Sequence, residues 1–144
     1  MQREDFDLGA ELAAIRAGRS DIGALVSFTG LVRDLAGGLD AFELEHYPAM
    51  TEKALLGIEA EAHARWPLQA SLIIHRFGPM SPGEQIMMVA TASAHRQAAF
   101  ASAEFLMDYL KSRAPFWKKE TTAAGAQWVD AREEDEDALA RWHR

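Results

Sequence analysis

The chain has 144 residues, of which 49% are hydrophobic, and a formal net charge of -7. A chain of this length can bury a core without disulfides or metal, so we predict a single domain over residues 1–144. The negative charge excludes general nucleic-acid binding, which needs a basic surface. No apolar run approaches the roughly 18 residues of a membrane-spanning helix. Because the first residues, MQREDFDLGAEL, contain no signal-peptide core, we expect a cytoplasmic protein.

Cysteine is absent from the sequence. Its absence excludes disulfides, thiolate-bound zinc, iron–sulfur clusters and a cysteine nucleophile. The chain also cannot carry a persulfide, so any sulfur that it transfers must arrive on a partner. The five histidines have no ligand-pair spacing, and we therefore predict neither a metal site nor a cofactor. They are His46, His63, His75, His95 and His143.

Periodicity and turn residues predict the following elements. In order, they are a helix at 7–17, a strand at 23–32, a loop at 33–40, a strand at 41–47 and a helix capped by Thr51 that runs to about Arg65. The next elements are strands at 70–78 and 84–93, joined by the rigid turn PMSPG, and the longest helix at 95–114. The chain then continues with the extended segment FWKKET, an AAGA turn and the short strand QWVD. It ends in an acidic tail over about 130–144 with a terminal helical turn.

These elements predict an α+β fold, a mainly antiparallel sheet with two long helices packed on it. Helix alternates with strand in the middle of the chain, which leaves a parallel α/β sheet as the alternative. The hairpin-like pairing of 70–78 with 84–93 favours the antiparallel arrangement.

Cations are concentrated in the segment DYLKSRAPFWKKE, residues 108–120. In an acidic chain, lysines crowded beside a rigid aromatic turn predict a bound anion. Strand alternation places Phe116, Lys118 and Glu120 on one face and Trp117 and Lys119 on the other, so only one of the two lysines can readily enter a given pocket. Lys111 lies in the last helical turn, where a cation suits the helix dipole without any ligand.

Two more cationic groups are candidates for anion binding. Arg33, in GLVRD, can close over an anion, or it can pair with Asp34 at the surface. His95 and Arg96 begin the long helix, where backbone N–H groups favour an anion, although His95 can also simply cap or pack.

Two further charged features have structural interpretations. The pair His75-Arg76 lies within a strand and points to opposite faces, so we predict a structural or partner-facing role. The acidic run Glu133 to Asp137 is predicted to be a solvated tail, with mimicry of an anion in the empty basic site as the alternative.

Helix length restricts how the cations can meet. His95 and Lys111 lie sixteen positions apart with no Gly or Pro between them, which corresponds to about 24 Å. Lys and Arg side chains do not bridge that distance. If both ends serve one anion pocket, the pocket must be built across two copies of the chain, and a symmetric dimer would carry two such pockets.

Five sequence blocks resemble a known family. They are GLVRD, ELEHYPAMTEKAL, IIHRFG followed by PGE, SAHRQAAF and MDYLKSRAPFWKKE. Their order and spacing are similar to those of the large, catalytic subunit of molybdopterin synthase, from about Gly23 to Trp142. The resemblance implies a hammerhead-like α+β fold and an enzyme that converts cyclic pyranopterin monophosphate into molybdopterin.

The resemblance also implies partners. Each sulfur would arrive as a thiocarboxylate on the C-terminal Gly-Gly of a small ubiquitin-like subunit. A homodimer of large subunits would form the core of a heterotetramer, with one small subunit at each end. Two other functions remain open: a non-catalytic dimeric phosphate- or nucleotide-binding module, and an adaptor for a ubiquitin-like protein.

The family's substrate-binding positions fall on nine residues of this chain. They are Leu31, Val32, Arg33, His95, Arg96, Lys111, Lys118, Lys119 and Glu120. The resemblance implies that Arg33, with the neighbouring chain's His95 and Arg96, binds phosphate and pterin. Lys111 and Lys118 are the predicted catalytic residues beside the thiocarboxylate. Either would stabilise the developing anion or transfer a proton as the cyclic phosphate opens, and a lysine–acyl adduct is a conceivable side intermediate.

Overall fold

The computed structural model describes residues 1–35, 38–129 and 133–143, without the side chains of residues 133 and 134. Its elements are α1 (Leu8–Arg16), β1 (Ala24–Leu31), β2 (Ala41–His46), α2 (Pro48–Arg65), β3 (Leu68–His75), β4 (Gly78–Met80), β5 (Gln85–Ser93), α3 (Arg96–Ser112), β6 (Phe116–Thr122), β7 (Gly125–Val129), α4 (Glu133–Ala140) and a final 3₁₀ turn (Arg141–His143). The predicted α+β fold with antiparallel strands is confirmed. Among the described residues, no helix has both the length and the apolar character needed to cross a membrane.

Strand β5 lies at the centre of a three-stranded antiparallel sheet with the order β1-β5-β3. Its Met87 and Val89 pack against α2 and α3. Met88 and Ala90 face the other way, towards Phe6 and the apolar side of α1. Because both faces of β5 are covered, its residues 86–90, IMMVA, form a continuous apolar run rather than an alternating pattern.

A second antiparallel sheet has the strand order β4-β2-β6-β7. The single strand predicted over 70–78 is wrong, because the chain changes sheets within it: β3 ends at His75 and pairs with β5, whereas β4 pairs with β2. Gly78 stands at the change with φ 88°, a conformation that side-chain-bearing residues rarely adopt. The predicted hairpin-like pairing with β5 is confirmed for β3.

Helix α2 begins at Pro48, and its N-cap, Tyr47, lies four residues before the predicted cap at Thr51. Proline suits the first helical position because its missing N–H has no helical partner there. The prediction that Thr51 caps the helix is therefore wrong: Thr51 is buried, and its hydroxyl donates to the carbonyl of Pro115 at 3.2 Å. This bond joins the first turn of α2 to the chain just before β6. With 18 residues, α2 is also longer than α3, which has 17.

The C-terminal segment packs against α3, contrary to the predicted solvated tail. Leu139 of α4 is only 1% exposed. Glu136 accepts from Arg113 at 2.7 Å, and the indole of Trp142 donates to Asp108 at 2.5 Å. Apolar residues spaced along an acidic segment thus form a packed helix. The predicted strand residue Asp130 and the start of the predicted tail lie outside the described residues.

Candidate active site

A cavity of about 210 Å³ opens where the two sheets meet the C-terminal end of α3. It is lined by Phe28, Thr29, Gly30, Leu31, His75, Ile86, Met87, Met107, Leu110, Lys111, Phe116 and Lys118. Mostly apolar walls with a few convergent polar groups are typical of small-molecule sites. In the described part of the chain, no three His, Asp or Glu side chains come together in a way that could hold a metal ion.

Strand register places Lys118 in the cavity. The residue lies in β6, opposite Leu44 of β2 on one side and Val129 of β7 on the other. Phe116, two positions earlier, lines the same cavity. Lys119 lies on the opposite face, where its ammonium is 5.9 Å from the ring centroid of Trp128. The predicted division of the two lysines between faces is therefore confirmed.

The surroundings of Lys118 lower its pKa to about 8. Burial is the main cause, and the neighbouring Lys111 lowers the pKa further, whereas Asp135 and Glu120 act in the opposite direction. At neutral pH Lys118 is still mostly an ammonium, but it gives up its proton far more readily than an ordinary lysine. An acid whose pKa lies near the working pH suits proton transfer as well as stabilisation of an anion.

His75, at the end of β3, forms a buried part of the cavity wall and is only 4% exposed. Its ring centroid lies 4.4 Å from that of Phe116, and its Nδ1 lies 2.9 Å from the carbonyl oxygen of Arg76. A carbonyl only accepts, so Nδ1 carries the proton and Nε2 is left as an acceptor. Burial, together with Lys118 and Lys111, lowers the pKa of His75 to about 4 despite the hydrogen bond to Arg76.

The interpretation of His75-Arg76 as a structural pair holds only for the arginine. Arg76 is buried, and it donates to the carbonyls of Arg3 at 2.9 Å and Gln85 at 2.8 Å. His75 was missed as a cavity residue. The available signal was its place at the end of an apolar strand, two positions after the core-packed Ile73.

The residues around Arg33 take three different positions. Leu31 lines the cavity, whereas Val32 is buried in a neighbouring core cluster and its N–H donates to the carbonyl of Glu84 at 2.9 Å. Arg33 is exposed. The carboxylate of Asp34 accepts the backbone N–H groups of Leu35 at 2.9 Å and Leu39 at 2.7 Å, so it stabilises the loop.

Six of the nine predicted site residues do not line this chain's cavity: Val32 and Arg33, described above, and His95, Arg96, Lys119 and Glu120. His95 and Arg96 are exposed at the opposite end of α3, and the helix between them and Lys111 is continuous. His95 is the N-cap residue, but its side chain makes no capping hydrogen bond to the described helix. Lys119 faces away, and Glu120 lies two positions beyond Lys118 on the same strand face. Their roles in substrate binding stay predictions.

A second, largely apolar groove of about 370 Å³ runs between β1 and α3. It is lined by Val26, Ser27, Phe28, Phe100, Ala103, Glu104 and Met107. Phe28 is 44% exposed and Phe100 is 61% exposed, which is unusual for large apolar side chains on one surface. Phe28 and Met107 also line the first cavity, so the groove and the cavity adjoin each other.

Known proteins resemble this chain over most of its length. The model of the MoaE protein family matches residues 1–113. A molybdopterin synthase catalytic subunit from Cereibacter sphaeroides is 62% identical over 142 residues, which cover 99% of this chain and 97% of that protein.

Solved structures give the same result. A molybdopterin biosynthesis MoaE protein from Burkholderia ambifaria superposes with a TM-score of 0.85 at 60% identity, over 99% of this chain and 95% of that one. A molybdopterin synthase from Staphylococcus aureus superposes with a TM-score of 0.82 at 30% identity, over 90% of this chain and 94% of that one. The chain therefore belongs to the MoaE protein family, together with molybdopterin synthase catalytic subunits to which it is up to 62% identical.

Proposed function

We propose that the chain catalyses sulfur transfer as the catalytic subunit of a molybdopterin synthase, converting cyclic pyranopterin monophosphate into molybdopterin. The observation that carries this proposal is the cavity itself, in which Lys111 and Lys118 meet an uncharged His75 between apolar walls. The cations suit anionic reactants, and the apolar walls suit a flat ring system. A chain without cysteine must receive its sulfur from elsewhere.

The sulfur donor in this proposal is the C-terminal thiocarboxylate of a small ubiquitin-like subunit. The name of the Cereibacter relative, a catalytic subunit, supports a further subunit in the complex. A terminal Gly-Gly carries no side chains, so it suits a narrow cavity of about 210 Å³. The thiocarboxylate would lie beside Lys118, whose ammonium stabilises negative charge as the sulfur attacks the pterin.

A second copy of the chain is proposed to cover the groove beside α3. Exposed Phe28 and Phe100 favour association, and the groove adjoins the cavity. A two-fold arrangement could place His95 and Arg96 of the second copy near Lys111 of the first. Together with Arg33, these groups would bind the phosphate and pterin, leaving Lys111 and Lys118 to act on the reacting atoms.

Reconstitution tests the proposal. The protein is mixed with a thiocarboxylated small subunit and cyclic pyranopterin monophosphate, and dithiolene product is measured. We expect Lys118→Ala to lower product formation by about 100-fold or more while the protein stays folded, because an ion pair to the developing anion is lost. Lys53→Ala, which removes an exposed lysine of α2, is the control.

The outcomes separate the candidate functions. Near-normal turnover by Lys118→Ala would remove Lys118 from the mechanism. Binding of the precursor without product would favour a phosphate-binding module, and binding of the small subunit without precursor-dependent loss of sulfur would favour an adaptor.

A further inference from the structure

We propose that His75 is a further catalytic residue, whose Nε2 accepts a proton from the water that releases the small subunit's C-terminus from the transferred sulfur. This inference rests on the proposed function, because it concerns a later step of the same reaction.

The need for such a water follows from the chemistry of the donor. When the sulfur of a thiocarboxylate bonds to a pterin carbon, an oxygen substituent of that carbon leaves with the bonding pair, and the acyl group of the small subunit remains on the sulfur as a thioester. The sulfur stays with the pterin only if the acyl carbon–sulfur bond breaks. Water oxygen bonds to the acyl carbon, its proton passes to a base, and sulfur leaves with the bonding pair as a thiolate. The carrier leaves as a carboxylic acid that ionises, and no oxidant or reductant is needed.

The cavity contains one side chain suited to be that base. Its described lining includes no carboxylate, and its other ionisable groups are Lys111 and Lys118. At neutral pH Lys118 is mostly an ammonium, so it suits binding of the departing thiolate rather than acceptance of a proton from water. His75 is neutral, and its Nε2 lone pair has no hydrogen-bond partner among the described residues.

The structure fixes the orientation of the imidazole. The Nδ1–H group is held by the carbonyl of Arg76 at 2.9 Å, and the ring packs on Phe116. Strand pairing of His75 with Met87 fixes the backbone. A second group that holds one nitrogen of a histidine determines which nitrogen faces the reactants, as in other histidine general bases.

Charged groups around His75 connect its basicity to the contents of the cavity. Lys118 of β6, Lys111 of α3 and the amino group of Met1 all oppose protonation, in addition to burial. A bound thiocarboxylate and phosphate bring negative charge and counteract these cations, which favours the imidazolium. His75 thus becomes a better proton acceptor when the reactants are present.

His75→Gln tests this role, because glutamine keeps polar atoms at the position but does not take up a proton. We expect kcat to fall by about 100-fold, with little change in KM for the precursor. The thioester that links the small subunit to the pterin should accumulate and be detected by intact-protein mass spectrometry. The matched control is His46→Gln: His46 also packs on a phenylalanine, Phe77, at 4.4 Å, but it lines a separate cleft. We expect this variant to turn over normally.

Turnover by His75→Gln at the wild-type rate would overturn the proposal, as would slow turnover without the thioester. If His75→Gln does not fold, ¹⁵N NMR of the wild-type protein can test the proposal by measuring the tautomer of the His75 imidazole. The proposal requires a proton on Nδ1 and none on Nε2 at pH 7. The reverse tautomer would contradict it. A wild-type protein that forms no product would instead overturn the proposed function, and this role with it.

Discussion

At the scale of single residues, the burial of the Lys118 ammonium in the cavity lowers the free energy of unfolding. The pKa of Lys118 is about 8 instead of the ordinary 10.5. Below pH 8 both the folded and unfolded chains bind this proton, and the folded chain bears the full cost of a buried ammonium. Between pH 8 and 10.5 the unfolded chain binds more protons, so the free energy of unfolding should rise with pH through this contribution.

We therefore expect Lys118→Met to raise the free energy of unfolding at pH 7 while it removes activity. Methionine fills a similar volume without a charge, so the rise between pH 8 and 10.5 should also disappear. Urea titrations at several pH values would measure both effects, with Lys53→Met as the control. A destabilised Lys118→Met at pH 7 would show that the ammonium is stabilised by its surroundings.

At acidic pH, His75 should determine part of the dependence of the free energy of unfolding on pH. Its pKa is about 4 in the folded chain against an ordinary value of 6.5. Its contribution to stability is full above pH 6.5 and is lost as the pH falls through 4, because the unfolded chain takes up the proton first. We expect this contribution to reach up to about 3 kcal/mol. His75→Gln should flatten the profile between pH 4 and 6.5 in urea titrations. An unchanged slope would mean that His75 already binds a proton in the folded chain.

At the scale of elements, local sequence rules predicted the orientation of Lys118 in β6 but not the place of His75 in the cavity wall. Strand alternation depends only on neighbouring residues, so it placed Lys118 and Lys119 on opposite faces correctly. The burial of His75 depends on β3 ending against β6, a contact between residues 75 and 116. The periodicity of a single segment contains no information about such a contact.

Helix α4 was missed for a related reason. Its acidic composition predicts a solvated segment, and the 3₁₀ turn that follows it contacts residues distant in sequence: Trp142 packs edge-on against Trp66 at 5.7 Å and Phe105 at 5.5 Å. Arg141 pairs with Asp108 at 3.0 Å. The apolar residues of the segment, rather than its more numerous charges, determine where it lies.

We expect Leu139→Ala to destabilise the protein by about 2–5 kcal/mol, the usual cost of truncating a buried leucine. Leu56→Ala is the matched control, because Leu56 is 67% exposed on α2 and its truncation leaves no cavity. Urea denaturation would measure both. A loss for Leu139→Ala no larger than that of the control would mean that α4 contributes nothing to the packed core.

At the scale of the whole molecule, helix length remains the strongest argument for a shared site. The structure retains an uninterrupted α3 between Arg96 and Lys111, as the sequence predicted. The division of the strands into two sheets was not predictable in the same way. It depends on the positive φ of Gly78 and on the pairing of β4 with β2, a strand distant in sequence.

Mixed dimers would test the shared site. Lys118→Ala and Arg96→Ala homodimers should both have little activity. When the two variants are co-expressed, mixed dimers regain one intact site, and we expect about a quarter of wild-type product formation. A mixture of Lys111→Ala with Lys118→Ala should show no recovery, because those two lysines line the same chain's cavity. Recovery in that control, or none in the first mixture, would contradict a site shared in this way.

The position of the cavity between two sheets has a consequence for how the protein is made. His75 belongs to the β1-β5-β3 sheet, whereas Phe116 and Lys118 belong to the other. During synthesis, the strands of the first sheet and all of α3 emerge before β6. Pairing of β2 with β6 must then close a long loop, which is slow relative to local contacts. Lys118 is thus among the last residues to be placed, so a nascent chain can bury much of its core before this cavity is complete.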